Sequence, residues 1–219
     1  MSKIKNKLIK TLGTLVLSAA GIFNLGCMPD CRRYELDKIS LEHLVKEREA
    51  LIIGIEGLQP YSNCSVHKLI EKLGEEYSLP YVSSSGNWKS HIPLIKAKRD
   101  SKIILIGFSA GTQEICSLAR ECKKQGIGIR LMAYLDPTHK NKISLGRLTK
   151  IPGNVKEVSV FIGESSGIYG GSRLTNLDFE SPKTKYANRI IQNAGHLGLP
   201  YSLEVQNSLR EKLYEILRE

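Results

Sequence analysis

Lys102-Ile103-Ile104-Leu105-Ile106-Gly107-Phe108-Ser109-Ala110-Gly111 runs from an unbroken apolar stretch into a serine set between small residues. The apolar stretch predicts a strand buried on both faces. From about Ala110 to Lys124 the spacing turns helical. The motif G-x-S-x-G at 107–111 therefore stands directly between a strand and a helix, where a sharp turn lifts the serine hydroxyl above the sheet and the glycines let strand and helix approach closely. Gly163-Glu164-Ser165-Ser166-Gly167 matches the same pattern. That copy runs into Gly170-Gly171 instead of a helix, and no further strand is expected between it and the late histidine. A substrate-facing or structural loop is expected there. Ser109 is the candidate nucleophile, and a merely structural turn is the plain alternative.

Outward from this motif the chain alternates strand and helix. Leu51-Ile52-Ile53-Gly54-Ile55 predicts a buried strand ending at Glu56-Gly57, Val66 to Leu73 a helix, and Leu79 to Val82 a strand closed by Ser83-Ser84-Ser85-Gly86. Beyond the motif, Ile129 to Leu135 and Val155 to Ile162 predict two more strands. Val205, Leu209, Leu213 and Ile216 share one face of a terminal helix over 203–218. Such alternation predicts an α/β fold, a mostly parallel central sheet flanked by helices, as a single compact domain over 51–219. Residues 27–50 form a polar lead-in, with a short helix expected around Leu41 to Glu49. No internal repeat or low-complexity tract is present.

A serine hydroxyl becomes a useful nucleophile only when a base accepts its proton. His196, in the loop Asn193-Ala194-Gly195-His196-Leu197-Gly198 before the terminal helix, has the chain order and loop placement such a base needs. His43 and His67 precede the nucleophile on predicted helices and are expected at the surface. His91 lies in a polar stretch that also precedes it, and His139 is the rival. The acid that orients the imidazole should end a strand. Asp136 does so after Leu131-Met132-Ala133-Tyr134-Leu135 and is followed by Pro137, with Glu164 and Asp178 as the other candidates and a turn or capping role as its plain alternative. The oxyanion requires preorganised N–H donors: Ala110, at a helix N-terminus, and Leu58 in the loop after the first strand, with Gly57 the alternative.

With the elbow at 107–111, the Leu135-Asp136-Pro137 segment and the late His196, the chain resembles the α/β-hydrolase superfamily from about Leu51 to Leu217. The Leu-Asp-Pro segment one strand after the elbow is similar to the acid position of pancreatic-type lipases. Phe108 stands where lipases often place His or Tyr, and no long insertion precedes His196. The resemblance therefore implies an open esterase or thioesterase, a serine hydrolase of ester or related acyl bonds acting on a small acyl ester or thioester. No cofactor is expected, since neither a metal cluster nor a phosphate-cradling glycine loop is present. The competing expectation is a non-catalytic envelope lipoprotein that uses the hydrolase fold as a binding module.

Residues 1–26 carry Lys3, Lys5, Lys7 and Lys10 ahead of an apolar stretch from Leu12 to Phe23, and Leu25-Gly26-Cys27 follows. That order predicts a signal peptide, and Gly26-Cys27 resembles a bacterial lipobox with Cys27 as the lipidation site. The apolar stretch is short beside the about 20 residues a membrane-spanning helix needs. The protein is expected to be exported and membrane-anchored in the bacterial cell envelope, on the periplasmic or cell-surface side. Removing residues 1–26 reduces the formal charge from +10 to +6, and no long Lys/Arg run remains, so no nucleic-acid partner is expected. Cys31 and Cys64 are open to pairing in an oxidising compartment. Cys116 and Cys122, six apart on a predicted helix, should point apart as buried free thiols.

Overall fold

A computed structural model describes residues 50–57, 65–138, 150–164 and 177–219. The expected helix at 41–49, Cys27, Cys31, His43, Leu58, Cys64, His139 and Ser165 lie outside the described residues.

The central sheet is built from β1 (Ala50–Glu56), β2 (Tyr81–Ser85), β3 (Lys102–Phe108), β4 (Ile129–Leu135), β6 (Glu157–Gly163) and β8 (Lys185–Ile191). Among the described residues these six lie in the order β2-β1-β3-β4-β6-β8, with every neighbouring pair parallel. A separate two-stranded ladder joins β5 (Lys150–Ile151) to β7 (Asp178–Phe179). The helices are α1 (Ser65–Tyr77), α2 (Ile92–Ala97), α3 (Gly111–Lys124) and α4 (Leu203–Arg218).

Alternate residues of the strands feed two cores. Ile53, Ile55, Leu105, Met132, Tyr134 and Val160 pack with Ile115, Leu118 and Ala119 of α3. Ile52, Ile104, Ile106, Leu131 and Ala133 pack with Val66, Ile70 and Leu73 of α1 and Val205, Leu209 and Leu213 of α4. Burial on both faces is why these strands read as continuous apolar runs. Because the chain passes from β1 outward to β2 and then back across β1 to β3, the strand order reverses between β1 and β3. A crevice opens beyond the carboxyl ends of two such strands. Gly57 and Ser109 stand at that place.

Two expectations are corrected here. β7 and β8 both lie between Gly163-Glu164-Ser165-Ser166-Gly167 and His196, where no further strand is expected, because the exposed edge strand β8 carries no apolar run. His67 is buried, not on the surface: its Nδ1 lies 2.5 Å from Ser83 Oγ, so the face of α1 that carries it is turned onto β2. His91, at the end of a 3-10 turn over Trp88–His91, is also buried, with Nε2 2.8 Å from Ser84 Oγ. Burial pushes the His91 imidazole down to about 4 from its ordinary 6.5. The unfolded chain therefore takes up a proton near pH 6.5 that the folded chain refuses until about pH 4, so stability is complete above 6.5 and declines as pH falls between these values. The linkage amounts to about 2 kcal/mol between pH 7 and pH 5. Urea unfolding should show this loss in the wild type, and His91→Asn should lessen it, leaving the part that comes from His67, whose imidazole burial also pushes down; equal slopes in both would refute the assignment.

Candidate active site

Ser109 occupies the turn between β3 and α3 with φ +53°, a left-handed conformation that costs an L-residue about 1–2 kcal/mol. The surroundings hold it there. Its N–H donates to Leu135 O (2.9 Å), and its own carbonyl accepts from the Thr112 hydroxyl (2.5 Å) and the Thr112 N–H (3.2 Å). Both motif glycines are required by close contact. A methyl group on Gly107 would lie 2.9 Å from Gly111 O, and one on Gly111 would lie 2.0 Å from Ile55 O.

Asp136 ends β4 in a second left-handed turn, φ +45°, which aspartate tolerates better than most residues. Its N–H donates to Phe161 O at 2.8 Å, so the strand ladder fixes the carboxyl group's origin. The side chain is buried, and Oδ2 stands 2.5 Å from His196 Nδ1, across 60 residues of chain. Asp136 Oδ1 is buried with no hydrogen-bond partner among the described residues. An imidazole that gives its Nδ1–H to a carboxylate keeps Nε2 as its basic nitrogen. His196 opens a 3-10 turn over His196–Tyr201, and its ring stacks on Phe108, the residue before Ser109, at 4.8 Å between centroids and 29° between planes. Phe108 is thus the platform that seats the imidazole beside the elbow.

The other expected acids are placed elsewhere. Glu164 is exposed after β6 and accepts the Asn193 N–H at 3.2 Å. Asp178 pairs in register with Lys150 in the small ladder. That ladder is tied through Glu180 to Lys123, at the far end of α3 from the elbow and about 18 Å along the helix.

Of the expected oxyanion donors, Ala110 and Gly57 lie among the described residues. Ala110 is the residue that caps α3, and a methyl on Gly57 would fall 2.9 Å from Ala110 N and 2.8 Å from Ser109 Cβ. The segment leaving β1 therefore lies against the elbow. Thr138, two residues after Asp136, was not foreseen. Its Oγ1 is 3.4 Å from Ser109 Oγ, and its carbonyl accepts from Gln113 Nε2 at 2.9 Å. Its short distance from Asp136 in the chain is the one sequence signal for it. The two described cysteines are free and buried, and desolvation pushes each thiol up to about 11, which leaves neither as a ready nucleophile.

No protein-family model and no curated protein sequence matches the chain. Solved structures do. A presumptive hydrolase from Agrobacterium vitis S4 superposes with a TM-score of 0.58 at 10% identity, covering 77% of this chain and 88% of that one. TT1662 from Thermus thermophilus gives 0.52 at 13% identity, covering 80% and 91%. Human thioesterase 2 gives 0.51 at 10% identity, covering 78% and 97%. At these identities the likeness is one of architecture, and the single parallel-sheet domain described above has the α/β-hydrolase fold.

Proposed function

We propose that this protein is a serine hydrolase that cleaves carboxylic ester or related acyl bonds through an acyl-enzyme on Ser109. The observation that carries this reading is the 2.5 Å contact between Asp136 Oδ2 and His196 Nδ1, on an imidazole stacked against the residue that precedes the elbow serine. His196 Nε2 takes the Ser109 proton as Oγ bonds to the acyl carbon. The tetrahedral oxyanion is held by the Ala110 N–H and a second donor, Leu58 or Gly57. Collapse expels the alcohol or thiol with the proton from His196. Water, deprotonated by the same imidazole, then releases the acid and restores Ser109.

The thioesterase among the similar structures and the absence of a long insertion before His196 favour a small acyl ester or thioester as substrate. A fluorophosphonate probe tests the chemistry. Labelling should fall on Ser109 and vanish in His196→Ala, whereas a folded wild-type chain that takes no label would point to a binding module instead. We further propose lipidation at Cys27 and attachment to the envelope membrane, on the order of basic end, apolar core and Leu25-Gly26-Cys27. Cys27→Ser should shift the expressed protein from the membrane to the soluble fraction; unchanged partitioning would sink the anchor.

A further inference from the structure

The segment that leaves β1 is gripped from two sides. On one side it is pressed against the elbow: Ile55 O and the Glu56 carbonyl carbon crowd the Cα of Gly111, where a methyl would lie 2.0 and 2.9 Å from them, and Gly57 crowds Ser109 and Ala110. On the other side the Glu56 side chain crosses to the N-terminus of α1, where Oε1 accepts the N–H of Val66 at 2.5 Å and of His67 at 3.3 Å. These are donors that a helix leaves without internal partners. The first turn of α1 has no acidic residue of its own, so Glu56 supplies from ten residues away the acceptor these N–H groups lack; burial pushes its carboxyl up, and the bonds from Val66 and His67 together with the helix dipole favour its charged form. The same helix end is moored to β2, because His67 is bonded through Nδ1 to Ser83, and Ser83 pairs in register with Gly54 of β1.

We propose that Glu56 is a positioning residue for the oxyanion site: its carboxylate bolts the strand end that carries Gly57 to α1 and so fixes that backbone against Ser109 and Ala110. The proposal rests on the serine-hydrolase reading above. Donors aimed at a developing oxyanion act only if they are held in place before the reaction, and a small displacement lowers kcat while leaving ground-state binding alone. A carboxylate that served only to cap α1 would affect melting and nothing else.

The test compares Glu56→Leu and Glu56→Gln in the full chain, with p-nitrophenyl butyrate as substrate and a phenylboronic acid as a tetrahedral mimic bound through Ser109. Leucine removes the acceptor, and kcat should fall roughly 30- to 100-fold with KM within about twofold, boronate affinity falling in parallel. Glutamine keeps an acceptor oxygen and should recover most of the loss relative to leucine, while remaining at least about threefold below wild type because the charge is gone. Should Glu56→Leu fail to fold, the near-isosteric Glu56→Gln decides alone by the same threefold criterion. A folded variant with kcat and boronate affinity inside threefold of wild type overturns the proposal, as does a loss confined to KM. Its failure is separable from failure of the hydrolase reading: Ser109→Ala retaining wild-type turnover, or a wild type that neither labels nor hydrolyses the ester, sinks both, whereas Ser109-dependent turnover indifferent to Glu56 sinks this one alone.

Discussion

Ser109→Ala should lower kcat on a short acyl ester by roughly 10⁴- to 10⁶-fold, with the fold intact. The size follows from the role proposed: without Oγ no acyl-enzyme forms, and what remains is whatever the oxyanion donors and substrate binding can do for direct attack by water. Structure should survive because the elbow is held by backbone bonds from Ser109 to Leu135 and Thr112 and by the packing of Gly107 and Gly111, none of which uses the hydroxyl. A companion variant separates strain from chemistry. At φ +53° alanine keeps the left-handed penalty and glycine escapes it, so Ser109→Gly should be more stable than Ser109→Ala by up to about 1 kcal/mol, glycine's greater freedom in the unfolded chain offsetting part of the gain. Both should be equally inactive. Chemical denaturation with ester turnover on the same preparations reads both quantities. Turnover in Ser109→Ala within tenfold of wild type would refute the nucleophile.

The residues that made the fold legible are those buried on both faces. The apolar runs of β1, β3, β4 and β6 have no solvent side to interrupt them, and they stand in the structure within a few residues of where periodicity puts them. β8 gives no such signal, for the opposite reason. Lys185-Tyr186-Ala187-Asn188-Arg189-Ile190-Ile191 lies at the rim of the sheet and is exposed along most of its length, so it carries no apolar run to betray it. The short helix α2 and the 3-10 turn before it were also invisible, being too brief to show a period.

Side-chain partners were less legible than strands. His67 and His91 each meet a serine of β2, a pairing set by how α1 and the 3-10 turn dock and not by any local spacing. Phe108 is similar. In the chain it is the variable x of a motif, and only the folded arrangement gives it the imidazole of His196, 88 positions later, as a stacking partner. Chain order could place the histidine near the elbow, but the choice between the candidate acids depends on which strand end the His196 loop reaches, and that loop meets Asp136.

That choice has a decisive experiment. Asp136→Asn should lower kcat about 10⁴-fold, and Glu164→Gln should leave it within about threefold. Asparagine is the clean substitution. It tolerates φ +45° as aspartate does, it keeps the volume of the buried side chain, and its N–H to Phe161 is untouched, so folding should hold. What changes is the electrostatics at His196 Nδ1. A neutral carboxamide cannot stabilise the imidazolium that forms when Ser109 is deprotonated. If its NH₂ faces Nδ1, it also draws the ring proton onto Nε2 and removes the base. Glu164 touches the site differently: it accepts the N–H of Asn193, which has φ +56°, in the loop that leads to His196. Its removal should loosen that loop without altering the charge on the imidazole, an effect read as a slightly lower melting temperature and a small change in kcat. The reverse ranking, with Glu164→Gln disabling and Asp136→Asn tolerated, would mean that the His196 loop swings to the end of β6 during turnover, and Asp136 would lose its role.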